Sequence, residues 1–249
     1  MYGTGDSLQG ASTPGRAAAR YRGISGSLRR MSSGWWVHQW YQDYGAWMVA
    51  GYALIVIFSI TLHELAHGWA AIWQGDRTPI ELGHMTWNPL VHMGWASLLM
   101  FAVVGIAWGL MPVDPSRMRN GRRSMGWVAF AGPMMNVAIA FVALTVLAVA
   151  SAKSLAIGER ATLLLWLAGY INLALAILNL LPVPPLDGSR IAAGVSIKAY
   201  SFFNRPEVAG ASVFVLLAIV FLGAGDLIFD AALTGAKWYL AVAERFLNG

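Results

Sequence analysis

The chain has 249 residues, 57% of them hydrophobic and 12% charged, with a net charge of +5 and no cysteine. Soluble domains carry about 25% charged residues, so a surface facing lipid is the first expectation. The lack of cysteine excludes a disulfide framework and a thiolate metal site, leaving His, Asp and Glu to hold any metal.

Residues 1–34 are rich in Gly, Ser and Arg and read as a flexible basic tail. No apolar core closely follows their arginines (Arg16, Arg20, Arg22, Arg29 and Arg30), so they are no secretory signal. A second basic cluster, Arg117, Arg119, Arg122 and Arg123, occupies one short loop. With no RNA- or DNA-binding motif nearby, the clusters read as lipid attraction and topology control rather than nucleic-acid binding. From Trp35 to Trp47 six aromatics crowd ahead of an apolar run, as at a membrane interface, with His38 solvated among them.

A spanning helix needs about 20 apolar residues. Gly45–Leu62 begins such a helix, which continues through Trp73. Met125–Ala152 and Ala161–Leu186 are uncharged, and Pro182, Pro184 and Pro185 stop the latter as a helix near Leu181. Val208–Gly225 is the fourth span, ended by Asp226 and Asp230. Residues 231–249 read as a C-terminal interfacial helix or tail. The expected fold is an all-α polytopic membrane bundle of four spans over 35–230. Between the first two spans, Leu82–Val113 carries no Asp, Glu, Lys or Arg, but its apolar part, Trp95–Met111, is short and interrupted by Gly105 and Gly109.

Two motifs carry chemistry. His63-Glu64-Leu65-Ala66-His67 places two imidazoles on one helix face, where they can chelate a single ion with Glu64 beside them. Zinc makes water acidic enough to lose a proton near neutral pH, and a carboxylate takes that proton. Three ionisable groups within five positions are expensive at membrane depth without a task. Catalytic zinc takes three protein ligands, so a third must come from elsewhere. Asn179-Leu180-Leu181-Pro182-Val183-Pro184-Pro185-Leu186-Asp187-Gly188 offers Asp187, the first acid after a 26-residue uncharged run. Either Asp187 completes a His–His–Asp site, or it caps the next helix in an ordinary loop.

The two motifs together closely resemble the signatures of the site-2 protease family of intramembrane zinc metalloproteases, H-E-x-x-H and N-x-x-P-x-P-x-L-D-G. Ala131-Gly132-Pro133-Met134-Met135-Asn136 resembles the family's A-G-P-x-x-N, and Thr86-Trp87-Asn88-Pro89-Leu90-Val91-His92 a stretch of its compact members, which lack PDZ and CBS domains. The resemblance covers roughly residues 46–193. It implies one zinc per chain held by His63, His67 and Asp187, with Glu64 as general base and later proton donor. It also implies that Asn179 orients substrate or stabilises the oxyanion, and that Asn136, Asn88 and Pro182 are candidate substrate contacts. The implied activity is cleavage of peptide bonds in or near transmembrane helices of membrane-anchored proteins, in a bacterial cell membrane. A homo-oligomer is compatible with it. His84 and His92 read as hydrogen-bonded structural residues.

Depth constrains topology. His67 lies toward the C-terminal end of the first span and Asp187 just past the third, so one ion requires both at the same face. Two crossings separate them if Trp95–Met111 is re-entrant or hairpin-like, and three if it spans, so the re-entrant form is expected. The arginine loop then lies on the zinc side, which the positive-inside rule makes cytoplasmic, while the basic tail falls outside against that rule. An extended substrate is expected to pair with an edge in Leu82–His92. The alternative function is a non-proteolytic zinc transporter or pseudoprotease scaffold, in which Glu64 has little use.

Overall fold

The structure, a computed structural model, describes residues 36–221 and 224–248; the tail expected over 1–34 lies outside the described residues. Those residues form ten α-helices and no strand: α1 Trp36–Tyr44, α2 Ala46–Trp73, α3 Thr78–Glu81, α4 Pro89–Val104, α5 Arg122–Ala152, α6 Glu159–Leu180, α7 Asp187–Val195, α8 Ile197–Phe203, α9 Pro206–Phe221 and α10 Ala224–Asn248. A 3₁₀ turn, Pro115–Arg117, precedes α5.

By length and composition α2, α5 and α6 can each cross a bilayer. Their backbone hydrogen bonds close within the helix, the condition for lying in hydrocarbon. The fourth span begins at Pro206, and α9 reaches spanning length only together with α8, from which it is bent by 67°. Small residues set the spacing. A side chain at Gly169 would meet Leu144 at 2.5 Å, and one at Gly51 would meet Leu164 at 2.4 Å, so α5 and α2 approach α6 where it or they lack side chains. α5 is the central element, packed against α2, α6, α7 and α10. Residues 231–248 belong to α10, which buries Ala232, Ala236 and Leu240 and joins α5 through Tyr239 Oη and Thr145 Oγ1 at 2.6 Å.

The region between α2 and α5 starts and ends at one end of the bundle. Arg119 N–H donates to Gln74 O at 2.9 Å, and Ser124 Oγ donates to Gln74 Oε1 at 2.7 Å. Buried Asp76 fastens the same corner, accepting from Thr78 N–H at 2.9 Å and Asp114 N–H at 2.7 Å. Within this excursion α4 is N-capped by Asn88, whose side chain accepts from Leu90 N–H at 3.0 Å. It kinks at Gly94 (φ 65°) and ends at Gly105 (φ 85°), left-handed conformations that favour glycine.

The chain then returns alongside α4. Ser97 Oγ donates to Trp108 O at 2.7 Å and accepts from Trp108 N–H at 2.8 Å. Leu110 N–H donates to His92 O at 2.8 Å. Trp95–Met111 is therefore hairpin-like, as the depth argument requires. The expected edge in Leu82–His92 is not there. His84 N–H donates to Pro79 O and Thr86 N–H to His84 O, folding this stretch into turns because Gly83 (φ 69°) reverses the chain. Residues 106–114, without helix or strand, form the return limb instead. His92 Nε2–H donates to Thr86 O at 2.7 Å and His84 Nδ1–H to Leu82 O at 3.0 Å, both structural bonds to backbone.

Candidate metal centre

α2 carries His63, Glu64 and His67 on its buried C-terminal half, and α7 begins at Asp187. The proline-stopped end of α6 directs the chain back so that these two elements meet. His63 Nε2 and His67 Nε2 are 3.0 Å apart, and Asp187 Oδ2 lies 3.1 Å from the first and 3.3 Å from the second. All three residues are buried. Asp187 opens α7 and turns its carboxylate to the two histidines.

The donor set fits a metal on chemical grounds. His63 Nδ1–H donates to Asn136 Oδ1 at 2.6 Å, and His67 Nδ1–H to Val128 O at 2.7 Å. With its proton on Nδ1, a neutral imidazole presents a lone pair at Nε2. Two lone pairs and a carboxylate oxygen therefore converge, an arrangement that repels itself without a cation between. Tetrahedral zinc with bonds of about 2.0–2.1 Å separates its ligand atoms by about 3.3 Å, close to the spacings observed. Gly132 leaves the space open, since a Cβ there would stand 2.4 Å from His67 Nε2 and 2.5 Å from His63 Nε2.

Behind His63 runs a buried relay. Asn136 Nδ2 donates to Asn172 Oδ1 at 2.9 Å, and Asn172 Nδ2 donates to Ser59 Oγ at 2.8 Å and Ala168 O at 2.9 Å. Because each carboxamide donates in one direction along this chain, Asn136 is left presenting its oxygen to His63. Partners of this kind fix the tautomer and ring orientation of a ligating histidine.

In front of the ligands opens a cavity of about 400 Å³, lined among others by Glu64, Trp108, Gly109, Asn179, Pro185 and Arg190. Among the described residues the Glu64 carboxylate has no hydrogen-bond or ion-pair partner. It lies against Gly109, where a Cβ would come within 2.4 Å of Glu64 Oε1. Asn179 donates one N–H to Leu175 O at 3.0 Å and lines the cavity. Asn136 is fully buried, with its carboxamide engaged by His63 and Asn172. Asn88 is an exposed helix cap, and Pro182 is exposed; neither lines the cavity.

The sequence reading passed over Gly109, Gly132, Asn172's link to Ser59, and Arg190. Two of these had a signal: Gly132 lies in the A-G-P-x-x-N stretch, and Arg190 follows Asp187 by three residues on a helix and so shares its face.

A bundle of apolar spans enclosing a buried His–His–Asp group, with a free carboxylate at its edge, defines a multi-pass membrane metallopeptidase. Residues 51–156 and 148–223 match the model of peptidase family M50, and the chain belongs to that family. Among its relatives is YwhC of Bacillus subtilis, 32% identical over 182 residues, which are 68% of this chain and 80% of that protein. MJ0611 of Methanocaldococcus jannaschii is 30% identical over 55% of this chain and 71% of its own length. Rip2 of Mycobacterium tuberculosis is 29% identical over 53% of this chain and 52% of its own. All three have zinc metalloprotease in their names, and zinc is the metal that the His63, His67 and Asp187 group would hold. No solved structure matches the chain.

Proposed function

We propose that this protein cuts peptide bonds in or near the transmembrane helices of membrane-anchored proteins, as in regulated intramembrane proteolysis. The carrying observation is an unpaired Glu64 carboxylate opening on the same cavity as three converging metal ligands. A carrier or scaffold has no use for such a base.

Held by His63, His67 and Asp187, zinc supplies Lewis-acid activation of water and of the substrate carbonyl. Glu64 accepts a proton from the attacking water and returns it to the leaving amine. Asn179, on the cavity wall, donates to the carbonyl oxygen as charge develops there. Asn136 serves the reaction through His63 by holding that ring in place. The segment 106–114, most of which lines the cavity, replaces Leu82–His92 as the edge along which an unwound substrate pairs. The site faces the cytoplasm of a bacterial cell membrane, on the side of the arginine loop.

Glu64→Gln tests this reading. The variant should bind one zinc per chain like the wild type and lose cleavage of a transmembrane model substrate by a factor of about 10²–10⁴. Cleavage at the wild-type rate with full zinc would end the proteolytic reading.

A further inference from the structure

Arg190 lines the catalytic cavity and is exposed to it. Two arginines of the neighbouring loop are engaged. Arg117 pairs with Glu81 at 2.5 Å, and Arg122 donates to Ala193 O at 2.5 Å and to Gly194 O at 2.7 Å. Among the described residues Arg190 has no ion-pair or hydrogen-bond partner. Among the described residues it is also the only Lys or Arg on the cavity wall, where the acids are Glu64 and Asp187. Asp187, one helical turn away, turns its carboxylate to the two histidines instead. The planar fork of a guanidinium without a counter-charge matches a carboxylate in bidentate geometry.

We infer that Arg190 is a specificity-determining residue that receives a substrate carboxylate beside the cut bond. This rests on the proteolytic reading of the cavity. Residues three apart on a helix have Cβ atoms about 5–6 Å apart. An extended substrate advances about 3.3 Å per residue, so the subsite lies within about two or three residues of the scissile bond. The carboxylate has two sources: an Asp or Glu side chain flanking the cut, or the free C-terminus of a chain already shortened by an earlier cleavage. A Lys or Arg at the same position is repelled, which makes the site selective in both directions.

The test uses full-length protein in neutral phosphatidylcholine nanodiscs and one model transmembrane peptide carrying Asp, Asn or Lys at each position flanking the cut. Binding is measured in the Glu64→Gln background, where nothing turns over, and kcat/KM in the active protein. At one position Asp should bind about tenfold or more tighter than Asn, the strength of a charge-assisted pair, and Lys more weakly. Arg190→Gln should erase the ranking, Arg190→Glu should invert it, and Arg190→Lys should keep part of it, all with normal zinc content as the check on folding. Truncated peptides with free and amidated C-termini separate the two sources, because only a terminal-carboxylate site tells them apart. The same Asp–Asn–Lys ranking in wild type, Arg190→Gln and Arg190→Lys would overturn the inference. So would a preference that appears only when phosphatidylglycerol is present, which would assign Arg190 to lipid phosphate. A charge ranking that depends on Arg190 in a protein that never cleaves would sink the proteolytic reading and leave the anion subsite standing.

Discussion

The proton on each histidine of the candidate metal group is placed by a neighbour outside that group. Asn136 Oδ1 accepts a hydrogen bond from His63 Nδ1–H, and the Val128 carbonyl accepts one from His67 Nδ1–H. Asn136→Ala should remove the acceptor and leave His63 free to turn or change tautomer. Zinc affinity should fall about 10–100-fold, the usual cost of losing such a partner, as read by chelator competition, while the helical content stays unchanged. Gly132 acts by what it lacks. Gly132→Ala would put a methyl within 2.4–2.5 Å of both Nε2 atoms, where the ion must sit. The purified variant should carry essentially no zinc. Gly158→Ala is the matched control, since nothing lies within 4 Å of a Cβ there, and it should keep a full complement of metal.

One short helix, α7, decides whether the centre forms, because it carries the third ligand on a different stretch of chain from the other two. It is clamped at both ends. At its start, a side chain on Gly188 would meet the carbonyl oxygens of Leu180 and Leu181 at 2.3 Å. At its end, Gly194 and Gly126 approach so closely that a Cβ on Gly194 would lie 2.6 Å from the Gly126 Cα, and Arg122 takes the last carbonyls. Gly194→Val should push α7 off α5, draw Asp187 away from the histidines and lower zinc content without changing any ligand. Wild-type metal affinity in that variant would show that the clamp does not set Asp187. Much of this was legible in sequence: the spans follow from apolar length, and the group able to hold a metal from H-E-x-x-H and the proline-broken Asp187 segment. Trp95–Met111 was readable as a hairpin because one ion fixes the relative depth of two distant residues. The clamp was not legible, since Gly126 and Gly194 are ordinary glycines until α5 and α7 are placed together. Leu82–His92 was read as a candidate edge because polar, uncharged residues suit a turn as well as a strand, and the Gly83 reversal settles it as turns.

For the whole molecule, the metal site and the membrane topology are a single constraint. The end of α2 is tied to the start of α5 through Gln74, so residues 75–121 leave and return at one face. α5 and α6 then make two crossings, which brings Asp187 back to that face. The α5–α6 connector at residues 153–158 must therefore lie across the bilayer from the arginine loop. On the proposed orientation, the positive-inside rule applied to Arg117, Arg119, Arg122 and Arg123 predicts that the loop side is cytoplasmic. A chain without cysteine allows a clean test. Asn120 and Lys153 are both exposed, and each can be replaced singly, as Asn120→Cys and Lys153→Cys, in otherwise unaltered protein. In intact cells a membrane-impermeant maleimide should label Lys153→Cys and leave Asn120→Cys untouched until the membrane is opened. The reverse pattern would keep the metal geometry and turn the molecule over, so that Arg190 and the cavity would meet substrates from outside. Labelling of both from the same side would mean that α5 does not cross. The parity that joins His63 and His67 to Asp187 would then fail, and the two histidines and the aspartate could not share one ion at a common depth.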